Sequence, residues 1–311
     1  MDRPDRDPGR RAFLTGLGAV AATAAIACGR ATAAPSPVLT RPIPATGEPL
    51  PVIGMGSWIT FDVGDDAAAR AQRVEVLRNF FAQGGALIDS SPMYLSSQAV
   101  IGHCLARLPD QPSLFTATKV WTMTRALGIR QMEESRRLWG VERFDLLQVH
   151  NLLDLETHLE TLAEWKAQGR VRYTGVTTSH GRRHDELERI MTTQPIDFVQ
   201  FTYNMADREA EARLLPLAAE RGLAVITNRP LRRGTLFERV GTAPLPAWAG
   251  EIDCANWAQF FLKFIVSHPA VTCAIPATSR VDHMRENMGA AYGRLPDAAM
   301  RARMVQYVES V

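Results

Sequence analysis

From Pro37 onward the chain repeats one rhythm, a short apolar run followed by a longer stretch with helical spacing of its apolar positions. The short runs are Val52–Met55, Ala86–Ile88, Leu114–Ala117, Leu146–Val149, Val171–Val176, Phe198–Phe201, Leu223–Ile226 and Val271–Ile275. Most lack strict alternation, which is the pattern of parallel strands buried on both faces. Amphipathic stretches such as Ala67–Gln83, Asp154–Gln168, Asp207–Arg221 and Cys254–Ser267 lie between them, and Gly84, Gly169 and Gly222 mark helix ends. Eight such βα units in about 275 residues predict an α/β fold, a (β/α)8 TIM barrel. The alternative, a doubly wound sheet, would carry G-x-G-x-x-G after its first strand, whereas Gly54-Met55-Gly56-Ser57-Trp58 has no third glycine in place. Two β-like arms around Ala45-Thr46-Gly47, within Val38–Leu50, predict an N-terminal hairpin that plugs the barrel. Asp297–Val311 predicts an extra C-terminal helix.

Residues 1–34 have a different texture. A polar start gives way to an apolar, small-residue run from Ala12 to Cys28 without a charge. That run is short for a spanning helix and suits a signal segment. Arg10-Arg11 before Ala12-Phe13-Leu14 resembles the twin-arginine export motif, and Ala31-Thr32-Ala33 offers a small-residue cleavage site. The expected division is a signal peptide over residues 1–34 and one barrel domain over 35–311. The expected location is periplasmic or otherwise exported, with the twin-arginine (Tat) machinery as partner. Membrane anchorage of the N-terminus, including a lipid anchor at Cys28, is the alternative.

Composition adds exclusions. With 46% hydrophobic and 22% charged residues the chain is neither disordered nor collagenous. Net charge is +2, and loss of residues 1–34 removes five Arg and three Asp, leaving a formally neutral protein. No nucleic-acid footprint and no membrane-surface patch is expected. The cysteines form no metal-type cluster, so no metal site is expected; Cys104, Cys254 and Cys273 remain in the mature chain, and Cys273 reads as a packing residue. Only three of 35 basic residues are lysines, Lys119, Lys166 and Lys263. A lysine kept in a chain that otherwise uses arginine calls for a compact ammonium.

In a barrel the chemistry gathers where strands run into the following loops. The second run ends Ile88-Asp89-Ser90-Ser91-Pro92-Met93-Tyr94, the third Thr118-Lys119-Val120-Trp121, the fourth Gln148-Val149-His150-Asn151. Taken singly, each has a plain structural reading: Asp89 as a helix cap, Tyr94 as a loop aromatic, His150 as a satisfied half-buried histidine. Together they form a device. A lysine beside a phenol lowers the phenol's pKa, a carboxylate holds the lysine charged, and an imidazole supplies a second hydrogen bond to a substrate oxygen. That is the acid half of a carbonyl reduction, whose hydride must come from a cofactor.

Asp89, Tyr94, Lys119 and His150, in this order on these strands, resemble the catalytic tetrad of the aldo-keto reductases. The resemblance runs from Pro51–Trp58 to Ile275-Pro276-Ala277-Thr278-Ser279-Arg280 and Glu286-Asn287. It implies an NADP-dependent oxidoreductase, with NAD as the alternative cofactor, acting on a small aldehyde, ketone or alcohol. Tyr94 would be the acid, Lys119 its tuner, Asp89 the lysine's holder and His150 the orienter. The resemblance assigns the nucleotide to Thr177, Thr178, Gln200, Asn228, Arg229, Pro230, Leu231, Ile275, Ala277, Thr278, Ser279, Arg280, Glu286 and Asn287, with Asn204 near the amide reader and Arg280 facing a 2′-phosphate. Thr177-Thr178 stands where the family often has Ser-Asn, Asn228 replaces its stacking aromatic, and Ala277 replaces a basic residue. Trp58, Met93 and Trp121 follow strand ends and are expected to line the substrate side. A monomer is expected. Two rival readings are a non-catalytic cofactor-binding sensor or accessory subunit on the same barrel, and an aldolase-type barrel with Lys119 as Schiff-base nucleophile.

Overall fold

The computed structural model describes residues 37–108, 111 and 113–311. The expected signal segment and its cleavage site lie outside the described residues. The chain opens with an antiparallel hairpin, β1 (Thr40–Pro42) and β2 (Pro49–Pro51). Eight parallel strands follow: β3 (Met55–Gly56), β4 (Leu87–Asp89), β5 (Phe115–Val120), β6 (Phe144–His150), β7 (Val171–Thr177), β8 (Phe198–Thr202), β9 (Ala224–Asn228) and β10 (Cys273–Ala274). Each pairs with its sequence neighbour, from β3 round to β10. Parallel bridges Ile53↔Ala274 and Gly56↔Ala277 join the first strand to the last and close the barrel.

That closure explains the glycines of the first strand. A Cβ at Gly54 would sit 2.9 Å from the Leu87 carbonyl oxygen, and one at Gly56 would sit 2.9 Å from that of Ile275. The pair permits close backbone approach on both sides of β3 rather than wrapping a phosphate.

The helices between strands are α1 (Ala67–Ala82), α2 (Ser97–Leu105), α3 (Arg125–Trp139), α4 (Leu155–Ala167), α5 (His184–Thr193), α6 (Leu214–Arg221), α7 (Thr235–Val240) and α8 (Trp257–Val266). After β10 come α9 (Val281–Gly289) and the extra helix α10 (Ala298–Ser310). The predicted helix over Asp207–Arg221 divides into a 3-10 turn, Glu209–Glu211, and α6. Among the described residues no helix is long and apolar enough to cross a membrane.

Two apolar layers hold this arrangement. Inside the barrel, Leu87, Phe115, Leu146, Tyr173, Phe198, Ile226 and Cys273 pack with Ile43 and Leu50 of the hairpin. The hairpin is therefore the floor of the barrel interior. Its polar rim fastens to the strands: the Tyr173 hydroxyl bonds Thr46 Oγ1 and Glu48, and Arg172 bridges Glu48 and Asp145. The larger layer lies between strands and helices and includes Leu77, Trp139, Val199 and Phe261. With the floor filled by side chains, only the opposite end, where strands give way to βα loops, is open for chemistry.

Candidate active site

Asp89 ends β4 and Lys119 lies in β5 on the adjoining strand. Both face the barrel interior and both are buried. Lys119 Nζ donates to Asp89 Oδ2 at 2.6 Å and to the Ser90 carbonyl at 2.9 Å. The other carboxylate oxygen accepts from Gln200 Nε2 at 3.0 Å and, more weakly, from Gln148 Nε2 at 3.5 Å. A buried ion pair is tolerable only with its remaining lone pairs satisfied, and here both glutamines do that. Burial pulls the Lys119 ammonium below its usual range, with Asp89 acting against that pull.

Tyr94 is carried by the turn after β4. Its backbone N–H donates to the Ser91 carbonyl, and its own carbonyl accepts from Ser97 N at the start of α2. The phenol ring lies 5.4 Å from Lys119 Nζ, edge-on to His150 at 5.7 Å between centroids, and 6.5 Å from the Trp58 ring. The sequence predicts that Lys119 lowers the Tyr94 pKa. In the structure burial, followed by the negative charge of Asp89, pushes it above the ordinary range. Burial disfavours the phenolate, and the ammonium that favours it is shared with Asp89 and the Ser90 carbonyl. Tyr94 is thus a phenol that keeps its proton.

His150 ends β6, and its Nδ1 lies 2.8 Å from Ser91 Oγ. Ser91 Oγ also accepts from Met93 N. Where Ser91 donates to Nδ1, the ring hydrogen lies on Nε2. Burial first, and the Lys119 charge second, push His150 down to about 2, so the ring is neutral at physiological pH.

These groups open into a cleft of about 740 Å³. Of the residues predicted from sequence, Asp89, Tyr94, His150, Trp58, Met93, Gln200, Asn228, Arg229, Pro230, Leu231, Ile275, Ala277, Thr278, Glu286 and Asn287 line it. Lys119 lies just beneath. Thr177 and Thr178 are buried and absent from the lining; Thr178 contributes its carbonyl, which accepts from Asn228 Nδ2 at 2.8 Å. Asn228 is fixed from its other end by Thr202 Oγ1 at 2.7 Å. Asn204 bonds Asp207 and the Arg229 carbonyl, a loop-bracing role. Trp121, Ser279 and Arg280 also lie outside the lining. The Trp121 backbone is clamped by the Gln131 side chain, and the Arg280 guanidinium is taken up by Asp282.

The cleft also contains residues that sequence reasoning missed: Asn151, Ser179, His180, Arg233, Phe237 and His283. Ser91 was missed too, although it stands two residues past Asp89. A lone serine, or arginines in a chain rich in them, gives no local signal; only tertiary placement singles them out.

The model of the aldo/keto reductase family matches residues 52–304. The chain belongs to the aldo/keto reductase family. As such it is an oxidoreductase that moves hydride between a nicotinamide nucleotide and a carbonyl or alcohol. Methylglyoxal reductase YeaE of Escherichia coli is 28% identical over 248 residues, 76% of this chain and 84% of that protein. Aldo-keto reductase YhdN of Bacillus subtilis is 25% identical over 199 residues, 59% of each. An aldo/keto reductase of Klebsiella pneumoniae, solved with NADP and acetate, is 25% identical with a TM-score of 0.69, covering 84% of this chain and 93% of that one.

The residues present fit a dinucleotide. The cleft runs from Tyr94 and His150 to Thr278, Glu286 and Asn287. Asn287 is 2% exposed, and no hydrogen bond engages its side chain within the described residues. An amide without a protein partner, held on the wall of an open cleft by an otherwise buried residue, is suited to a ligand's polar edge. The Schiff-base alternative does not fit, because Lys119 is fully buried and its ammonium is held by Asp89.

Proposed function

We propose that the chain is an NADP(H)-dependent reductase of small aldehydes or ketones, with Tyr94 as proton donor. The carrying observation is the placement of the Tyr94 phenol between the His150 imidazole and the buried Lys119–Asp89 pair at the head of the cleft. Tyr94 gives its proton to the carbonyl oxygen as that oxygen gains charge. His150 is the second donor to the same oxygen in the tautomer that carries its proton on Nε2, with Ser91 donating to Nδ1. Lys119 offsets the charge left on the phenolate, and Asp89, steadied by Gln200, keeps Lys119 in place. Gln200, Asn228, Thr278, Glu286 and Asn287 would hold the nucleotide, which when bound supplies the hydride. NADP is preferred to NAD by analogy with the Klebsiella structure. Arg280 is not part of that argument, since Asp282 occupies its guanidinium. The test is consumption of NADPH against a panel of small aldehydes, with NADH in parallel. No turnover with either nucleotide would remove the reading.

Export through the twin-arginine route is a further element of the proposal, supported by Arg10-Arg11, the apolar run to Cys28 and Ala31-Thr32-Ala33. Cell fractionation of the wild type and an Arg10→Lys/Arg11→Lys variant checks it. Equal amounts outside the inner membrane in both would contradict it.

A further inference from the structure

A second cavity, of about 490 Å³, lies between the start of α2 and one face of α3. It shares no lining residue with the catalytic cleft, yet one loop serves both: Met93 and Tyr94 line the cleft, and Pro92 and Leu95 line this cavity. Leu127 and Leu138 of α3 extend its apolar wall. Six large apolar side chains are exposed among the described residues, and four of them gather here: Leu95 and Leu127 in the lining, Trp121 and Met123 on either side of Thr122, which also lines it. Leu95 is 79% exposed and holds a left-handed backbone, φ 49°, which a bulky L-residue rarely adopts. An apolar rim of this kind marks a surface that meets something apolar.

The polar groups of the same cavity can donate and lack an acceptor. Ser135 lines it and is 1% exposed, and its hydroxyl has no hydrogen-bond partner among the described residues. Such a group is costly unless a partner arrives. Gln98 is buried in the same wall; its Oε1 accepts from the Trp139 indole at 3.1 Å and from the Thr118 hydroxyl at 2.9 Å. An indole N–H can only donate, so the carbonyl end of the amide is fixed there, and its NH2 is left without a protein partner. Arg130 lines the cavity and forms no ion pair among the described residues. The one acid of the lining, Glu134, is held by Arg137 through two hydrogen bonds, at 2.8 and 2.5 Å.

We propose that this cavity is a second binding site, outside the catalytic cleft, for a small carboxylate with an aromatic or alkyl body. The body packs against Leu95, Leu127 and Leu138. The carboxylate accepts from Ser135, Gln98 and Arg130; its two oxygens offer about four lone-pair sites, enough for all three donors. The volume suits a molecule of that size. A wholly apolar ligand would leave the three donors unanswered, which is the basis for discrimination. The site does not depend on the reductase reading, because none of these residues belongs to the cleft.

The experiment is a fluorine NMR titration of 4-fluorobenzoate against the full chain, with and without saturating NADPH, in wild type, Ser135→Ala and Arg130→Glu. Wild type is expected to bind with a Kd of about 1 mM or tighter, the scale of a ligand with about ten heavy atoms, and to keep that affinity when NADPH is present. Ser135→Ala removes a hydroxyl that has no partner in the protein, so the fold should tolerate it; affinity is expected to fall about threefold or more. Arg130→Glu reverses a charge at an exposed position and is expected to weaken binding about tenfold or more. Thermal unfolding confirms that both variants are folded. No binding by wild type up to about 10 mM overturns the proposal. So does an affinity unchanged in both variants, or one abolished by NADPH, since either result would place the carboxylate in the catalytic cleft.

Discussion

Two lysines are fully buried in this molecule, and they have opposite surroundings. Lys119 meets a carboxylate and a carbonyl at the open end of the barrel, beneath the phenol of Tyr94. Lys263, on α8, meets only carbonyls: Ile252 at 2.6 Å, Arg294 at 3.0 Å and Asp253 at 3.5 Å. It knots the 3-10 segment Ala247–Ile252 and the chain after α9 onto α8, away from the cleft. Both positions need a compact ammonium that fits where a forked guanidinium would not. A retained lysine thus marks a tight buried cation site. Only its position at a strand end, next to Asp89 and Tyr94, marks chemistry. The third lysine, Lys166, is partly exposed and bridges both oxygens of Asp197.

Removing each ammonium should separate the two kinds of site. Lys119→Met is expected to lower turnover by roughly 10²-fold or more and to cost about 3–5 kcal/mol of stability, because Asp89 is left charged and buried. Adding Asp89→Asn should recover much of the stability and none of the activity; steady-state kinetics and chemical denaturation read both. If activity returned with the second substitution, the pair would be structural. Lys263→Met should behave in the reverse way. It leaves buried carbonyls unpaired, at about 1–3 kcal/mol, with kcat/KM unchanged. A drop in kcat/KM without a drop in stability would break the distinction.

A smaller effect is expected from His150 in the acid range. Its folded pKa, about 2, lies below the unfolded value near 6.5. The unfolded state therefore binds the proton first, and this group erodes stability as pH falls below about 6.5, at a limiting slope on the order of 1 kcal/mol per pH unit. His150→Gln should flatten that part of the stability profile; an unchanged slope would place the cause elsewhere. The smallest effect is expected at Arg280→Ala. With its guanidinium engaged by Asp282 outside the cleft, its loss should change NADPH affinity by less than about threefold in a binding titration. A larger change would show that Arg280 swings into the cleft when nucleotide binds.

What could be read from sequence follows from the same physics. Runs such as Val171–Val176 and Phe198–Phe201 are legible because burial on both faces removes their polar positions. The hairpin is legible because Ala45-Thr46-Gly47 breaks a pattern of β-like arms. Asp89, Lys119 and His150 stand out because they are polar groups directly after apolar runs. By contrast, the bracing of Arg229 by His180 joins loops 49 positions apart, and nothing local marks either residue. Thr178 shows a different limit. A family pattern assigns its position, yet the side chain is buried and the backbone carbonyl makes the contact. The direction of the Tyr94 shift is also beyond sequence, since it depends first on how deeply the ring is buried and then on the charge of Asp89.

The most direct test of Tyr94 as the proton donor is Tyr94→Phe, which removes one hydroxyl and keeps the ring that packs against His150 and Trp58. Aldehyde-dependent oxidation of NADPH and the NADPH dissociation constant are measured on the same preparation. The account predicts turnover reduced by roughly 10²-fold or more, with nucleotide affinity within about threefold of wild type. Turnover close to wild type, with binding intact, would contradict it.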